Sequence, residues 1–312
     1  MTIQQRDFHW DEDFELVRRF LIEIFNETKS LYNMIPSRFE NRKFGPCGPE
    51  YTDEDDRLVK IWEETDESGL SKERRIIAVT VLDTSPVSYL NLHPEYAHVE
   101  KDIILAMEDQ KRAMGKTDDR EVRIAFVTPV SHTRRQELLK ELGYENLGNY
   151  GHDRIRPVDL DVPDYHLPDG YSIKHVDIAE EFEKYHEVIG SVFSHCREYM
   201  TENAAKLYSE ASFYHDGLDL VVVAPDGNFA AFTTIRMDPV SRITEFEPVG
   251  THPDHRKLGL AKSIILEGLK RLEKHAPSFV SIPGAADNEG ATKLYDSLGF
   301  SREDLHVWRK YL

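Results

Sequence analysis

The sequence predicts an α/β protein made of two copies of one fold, and three observations carry that reading. Its 312 residues suffice for two ordinary domains, each able to bury its own core. Near the midpoint, the run from Ile155 to Gly170 holds three prolines and little periodicity, which marks a linker. On either side the same order of elements returns. His93-Pro94 matches His252-Pro253 at an offset of 159, and Leu142-Gly143-Tyr144 matches Leu298-Gly299-Phe300 at 156. The expected division is 1–156, a linker at 157–169, and 170–312.

In the second copy, Tyr171–His175 reads as a strand, and helical patterning follows from Ile178 to Phe193 and again near Glu202–Ser209. Leu218–Ala224 and Phe229–Ile235 flank Pro225-Asp-Gly-Asn228, a hairpin signal. Ile243–Thr251 is the next strand. Asp254–His275 is a long helix, with Leu258, Ala261, Ile265, Leu269 and Leu272 recurring on one face. Phe279–Ile282 is a strand, and Glu289–Ser297 a short helix stopped by Gly299. The first copy repeats this order. Phe8–Trp10 begins it, and Phe14–Phe25 is a helix. Arg57–Glu63 and Arg75–Leu82 form a hairpin with a longer polar loop. Ser88–His93 is a strand, Val99–Met114 a helix, Val122–Thr128 a strand and Arg134–Leu142 a helix.

Composition narrows the function classes. Lysine and arginine number 39 against 57 aspartates and glutamates, a net charge of −18. That surface repels nucleic acid, disfavours a polybasic membrane role, and attracts cationic partners such as amines. No apolar run approaches the length of about 18 residues that a membrane span needs, and the N-terminus lacks the apolar stretch of a secretory signal. The two cysteines, Cys47 and Cys196, lie in different halves, which argues against a disulfide framework and for the cytoplasm. His195-Cys196 has no third ligand at a recognisable spacing. Both cysteines therefore read as buried thiols, and no metal site is expected.

The most informative stretch follows the strand ending at Thr251. Arg256-Lys-Leu-Gly-Leu-Ala261 has the form Arg-x-x-Gly-x-Gly/Ala between a strand and a helix. Such a loop offers free backbone N–H groups and the positive end of a helix dipole to an anion, for which a pyrophosphate is the natural ligand. Gly259 permits close approach of the backbone, and Ala261 leaves room beside it. Asn288 follows, then Ala291-Thr-Lys-Leu-Tyr-Asp-Ser-Leu-Gly-Phe300.

Together these segments resemble the GNAT family, the acetyl-CoA-dependent N-acetyltransferases, over about residues 170–312. The resemblance implies two tandem domains, each with a mixed, mostly antiparallel central sheet flanked by helices. It also implies acetyl-CoA as co-substrate and direct transfer of acetyl to an amine. By that resemblance, Arg256, Lys257, Leu258, Gly259, Leu260, Ala261 and Lys262 hold the coenzyme pyrophosphate. The backbone of Val249, Gly250 and Thr251 pairs with pantetheine and donates to the oxyanion. Pro248 and Pro283 suit strands that splay to admit it. Asn288 either caps the following helix or bonds the pantetheine amides.

Three side chains are candidates for the chemistry. Tyr295 matches the family tyrosine that protonates the departing thiolate. Glu245 and Glu247 lie two apart on one strand. Glu245 stands eleven residues before Arg256, the family position for a general base, and Glu247 is its rival. At the offset of 159, Glu100 takes the place of Gly259, Pro86 that of Glu245, and Ser88 that of Glu247; at 156, Leu139 replaces Tyr295. The first copy is therefore expected to have lost coenzyme binding, since a carboxylate at the mouth of a phosphate cradle is electrostatically wrong. The acceptor is a small-molecule or protein amine, and the chain is a monomer with internal pseudo-symmetry or a weak homodimer. A non-catalytic acyl-CoA sensor or interaction module is the alternative. Such a module would keep the loop but has no use for Glu245 and Tyr295.

Overall fold

The computed structural model describes residues 2–65, 74–83, 87–115 and 121–312. In chain order the elements are β1 (Thr2–Asp7), α1 (Trp10–Thr28), α2 (Pro36–Phe44), α3 (Asp53–Asp56), β2 (Val59–Thr65), β3 (Arg75–Leu82), β4 (Ser88–Leu92), α4 (Glu100–Gly115), β5 (Arg123–Pro129), α5 (Thr133–Glu141) and β6 (Glu145–Arg156). Then come β7 (Ser172–His175), α6 (Ile178–Val192), α7 (Cys196–Tyr199), α8 (Glu202–Ser209), β8 (Asp219–Val223), β9 (Phe229–Met237), β10 (Ile243–Thr251), α9 (Leu260–Leu272), β11 (Phe279–Ala285), α10 (Glu289–Ser297) and β12 (Glu303–Tyr311). Among the described residues no helix is long and apolar enough to cross a membrane. Pro86 and the loop joining β2 to β3 lie outside the described residues.

Two units emerge, and each borrows chain from the other half of the sequence. The first comprises Met1–Pro36, Thr52–His152 and Glu303–Leu312; the second comprises Ser37–Tyr51 and Asp153–Arg302. The proline-rich run at 157–169 forms no helix or strand and belongs with the second unit. Arg156 anchors it by donating to the carbonyls of Leu160 and Asp161 at 2.9 and 2.8 Å, and Val162, Tyr165 and Leu167 pack on the core beneath.

In the first unit β1-β2-β3-β4 form an antiparallel sheet, and β12 lies antiparallel on β5 from Leu305 opposite Pro129 to Tyr311 opposite Arg123. Ile77, Leu90, Ile103, Ile104, Phe126 and Trp308 make its core. In the second unit the sheet runs β11-β10-β9-β8-β7, with Asp153–Arg156 of β6 beside β11. β10 and β11 are parallel partners, whereas β10–β9, β9–β8 and β8–β7 are antiparallel. All nine residues of β9 are buried. Residues Leu260, Ile264, Ile265, Leu269 and Leu272 of α9 give that strand its cover, each worth about 1.5–3 kcal/mol of burial. Gly268 lets the helix come close, since a Cβ there would stand 2.6 Å from Ile235 Cδ1.

β6, β12 and α2 were absent from the expected elements. The buried positions of β6 are Gly151, His152, Asp153, Arg154 and Arg156, a mostly polar run that matches no alternating apolar pattern. Tertiary partners make that burial tolerable. Asp153 accepts from Gly284 N–H at 2.9 Å, Arg154 donates to Asp296 at 2.6 Å, and Arg156 donates to the Leu298 carbonyl at 3.0 Å.

The expectation of two free thiols is corrected: Cys47 and Cys196 form a disulfide across 149 residues of sequence. They lie in different halves of the chain but in one unit, because Ser37–Tyr51 packs there. Closing so long a loop constrains the unfolded chain, and such bridges are typically worth about 2–4 kcal/mol. Urea unfolding with and without reductant should show a loss of that size. A Cys47→Ser, Cys196→Ser double variant should match the reduced protein and be indifferent to reductant.

Candidate active site

The site is built around a sheet that stops pairing. β10 is parallel to β11 only from Ile243 opposite Phe279 to Glu245 opposite Ser281, whereas it stays on β9 as far as Thr251 opposite Ala231. Past Glu245 the two parallel partners therefore part. Pro248 cannot donate to a ladder, and the register shifts between Phe246 and Val249. Pro283 imposes the same restriction on β11. The N–H of His252 donates to the Ala230 carbonyl at 2.9 Å, which fixes the alternation of the antiparallel ladder. By that alternation Gly250 exchanges its bonds with Phe232, while Val249 and Thr251 turn their N–H groups toward the opening. Of the three expected backbone donors, two face the fork and Gly250 does not. Gly250 is bare for another reason: a Cβ there would lie 2.3 Å from Cζ of Phe232.

The strand leads into the phosphate-type loop. Arg256, Lys257, Leu258 and Gly259 are exposed, and Lys257 and Gly259 have φ of 65° and 76°. Gly259 is the N-cap of α9, with no side chain capping it, and the first intrahelical bond runs from Ser263 N–H to the Gly259 carbonyl at 3.0 Å. The amides of Leu260, Ala261 and Lys262 are the helix's unpaired first turn. A Cβ on Gly259 would meet nothing within 4 Å. The glycine is thus required by its left-handed backbone, not by crowding within the protein. Leu260 is buried in the core, so only its backbone serves the loop, while Arg256, Lys257 and Lys262 surround the helix end with positive charge.

The two glutamates have different surroundings. Glu245 is fully buried and its carboxylate is occupied: Ser37 Oγ donates at 2.8 Å, Arg38 Nε at 3.0 Å and Arg236 Nη1 at 3.5 Å. Arg236 in turn donates through Nε to the Tyr208 hydroxyl at 2.9 Å. Glu247 is half-buried and, among the described residues, has no hydrogen bond or ion pair within 4 Å. Burial pushes its carboxyl above the usual range, Glu245 adds to the rise, and Arg38 and Arg236 oppose it. Tyr295 is buried on α10, and its phenol is pushed up to about 12 by burial, reinforced by the charge of Glu247 and opposed by Arg154, whose guanidinium lies 5.9 Å from the ring. Asn288 caps α10, its Oδ1 accepting from Ala291 N–H at 2.8 Å.

Ser37, Arg38, Arg236 and Tyr208 were not anticipated. Arg236 sits opposite Glu245 across β9 and β10, which a register argument might have caught. Nothing local announces Ser37 and Arg38, which are more than 200 residues from Glu245 in sequence. A group of potential metal ligands, Glu23, Glu27 and His93, occurs in the first unit, but Arg75 already donates to His93 Nε2 at 3.1 Å there.

The first unit keeps the same local order, with α4 starting at Glu100 where Gly259 stands in the second. Glu100 is buried and its carboxylate is bound by Arg134 Nη1 at 3.1 Å and by Arg135 Nε. Leu139, at the place of Tyr295, is a fully buried core residue.

Residues 177–300 match the family model for the acetyltransferase (GNAT) family. The mycothiol acetyltransferase of Paenarthrobacter aurescens strain TC1 is 29% identical over 235 residues, covering 72% of this chain and 70% of that protein. Its namesake in Pseudarthrobacter chlorophenolicus is 25% identical over 239 residues, covering 74% and 72%. Among solved structures, the tandem GNAT protein from the clavulanic acid biosynthesis pathway aligns with a TM-score of 0.70 at 15% identity, over 99% of this chain and 98% of its own, a likeness of fold. Residues 177–300 thus match the GNAT family, the whole chain resembles a tandem GNAT protein in fold, and the protein is an acyltransferase.

Placing a carboxylate at the helix end should destroy the cradle without touching the core. Gly259→Glu is expected to abolish acetyl-CoA binding in calorimetry while the thermal melt shows a folded protein. An unchanged affinity would remove the loop from the site.

Proposed function

We propose that the second unit transfers acetyl directly from acetyl-CoA to an amine, binding one coenzyme per chain. The observation that carries this reading is the fork between β10 and β11, which presents the Val249 and Thr251 amides just before the uncapped start of α9. The residues fit the coenzyme that GNAT proteins generally use. The first-turn amides of α9 with Arg256, Lys257 and Lys262 would take its pyrophosphate, and the inward edge of β10 its amide-bearing arm. When bound, it supplies the acetyl thioester. The fork amides are the fixed donors for the carbonyl oxygen as negative charge develops on it. Glu100 with its two arginines supports the restriction to one site, since the first unit already carries an anion of its own at that helix start.

Glu247, rather than Glu245, is our choice of base. A carboxylate with three donors already on it has little capacity to accept a proton from an amine, whereas Glu247 is unpaired and burial raises its carboxyl above the usual range. Its base form disappears as pH falls through that raised value. The acid limb of kcat/KM should therefore lie above the ordinary glutamate range. Tyr295, protonated throughout the physiological range, is the proton donor to the departing thiolate.

Thiol release from acetyl-CoA against a panel of amines tests the activity. Mycothiol-related amines belong in that panel because of the name the relatives carry. With an active acceptor, Glu247→Gln and Tyr295→Phe should each lower turnover about 10²–10⁴-fold at nearly unchanged coenzyme affinity. Raising the pH should partly rescue Glu247→Gln, because more of the amine is then neutral, but not Tyr295→Phe.

Glu245→Gln separates the two carboxylates. It leaves Arg38 and Arg236 facing a neutral group, and breaking a buried pair typically costs about 3–5 kcal/mol. It should lower the melting temperature markedly and keep the acid limb, the reverse of Glu247→Gln. A Glu245→Gln variant of normal stability without an acid limb would reverse the assignment.

A further inference from the structure

α2 joins the second unit although its residues come from the first half of the sequence, and it places one arginine on both arms of the fork. Arg38 Nε donates to Glu245 on β10 at 3.0 Å, and its Nη2 donates to the Pro283 carbonyl on β11 at 2.8 Å. Glu245 and Ser281 are the last paired residues, so Pro283 lies two positions beyond the last rung. The guanidinium thus takes the place of the ladder bond that is missing there. A Cβ on Gly284 would stand 3.9 Å from Arg38 Nη2, so the side chain lies close against the start of the opening. The span between its donors is set by a planar, rigid group, which lysine does not have.

The helix that carries Arg38 is fixed from several sides. Ser37 Oγ donates to Glu245 at 2.8 Å, and Glu40 accepts from both N–H and Oγ of Ser212 at 2.7 Å. Phe44 packs against Tyr208, Ala211 and Phe213, and Cys47 is bonded to Cys196. A helix held this way can impose a distance on what its arginine touches.

We propose that Arg38 is a positioning residue for acetyl transfer, a strut that sets the opening of the β10–β11 fork and keeps Glu245 engaged so that Glu247 is the carboxylate left to act. The proposal rests on the reading of the fork as the coenzyme site and of Glu247 as the base. The charged and titratable groups facing Glu247 are Arg38 from α2, Arg236 from β9, Glu245 from its own strand and Tyr295 from α10. Arg38 is a cation among them that favours the ionised form. Removing it raises the pH at which Glu247 becomes a base.

Arg38→Ala and Arg38→Lys in the full chain test this, with calorimetric acetyl-CoA affinity and the pH profile of kcat/KM as the two readouts. Arg38→Ala should weaken acetyl-CoA about tenfold and move the acid limb up by about one pH unit. Arg38→Lys should return the limb toward its normal place, because the charge is back, yet leave the affinity low, because one ammonium cannot span both strands. A general loss of packing would not separate the two readouts. Should Arg38→Ala fail to fold, Arg38→Lys decides alone, and normal affinity in it ends the strut role. Normal affinity and an unmoved limb in both variants, with Gly259→Glu still unable to bind, overturns the proposal and spares the coenzyme site. Normal binding by Gly259→Glu removes the site and the proposal with it.

Discussion

Beyond Glu245 and Ser281 two neighbouring parallel strands cease to exchange hydrogen bonds, and the backbone groups released there must be met by something. The rest of the second unit follows from how they are met. Val249 and Thr251 turn their amides outward into the opening, and Arg38 answers the Pro283 carbonyl, while the Gly284 amide of the same peptide points the other way and is met by Asp153 of β6 at 2.9 Å. A sheet interrupted in this way would ordinarily be an exposed pair of edges. Here it leaves the Val249 and Thr251 amides facing the gap, the feature on which the proposed coenzyme site rests.

The charges around that opening balance only when taken together. Two glutamates two residues apart would repel each other, and Arg38 and Arg236 compensate. The compensation is uneven, because both arginines touch Glu245 and neither comes within 4 Å of Glu247. One carboxylate is thereby held by three donors and its neighbour is left without an ion pair. Behind them Arg236 leans on Tyr208, and Asp219 accepts from Thr234, Tyr214 and Tyr185 while burial pushes it to about 6. This polar layer is largely satisfied by hydroxyls, which keeps it compatible with a buried strand.

The first unit shows the same local order of elements with different residues at the helix start. A helix start that would attract an anion is given Glu100, and two arginines of α5 hold that carboxylate. The result is an internal ion cluster where the second unit has an exposed, uncapped helix start.

By itself the sequence determined what depends on neighbours along the chain. The alternating and helical apolar patterns placed β10 and the body of α9, the turn residues placed the β8–β9 hairpin, and Arg256–Ala261 marked the loop because its form is set by local backbone geometry. It also singled out Tyr295 and both glutamates as candidates, with Glu245 favoured by spacing, while the donors on the Glu245 carboxylate were out of view. Tertiary structure decided everything that rests on distant partners. The charged strand β6 is buried because Asp296, Gly284 and Leu298 answer it, and Cys47 meets Cys196 because Ser37–Tyr51 packs in the second unit. Glu245 and Glu247 differ because an arginine 207 residues away reaches one of them. No periodicity records such contacts, for they are made by side chains whose separation in sequence bears no relation to their separation in space.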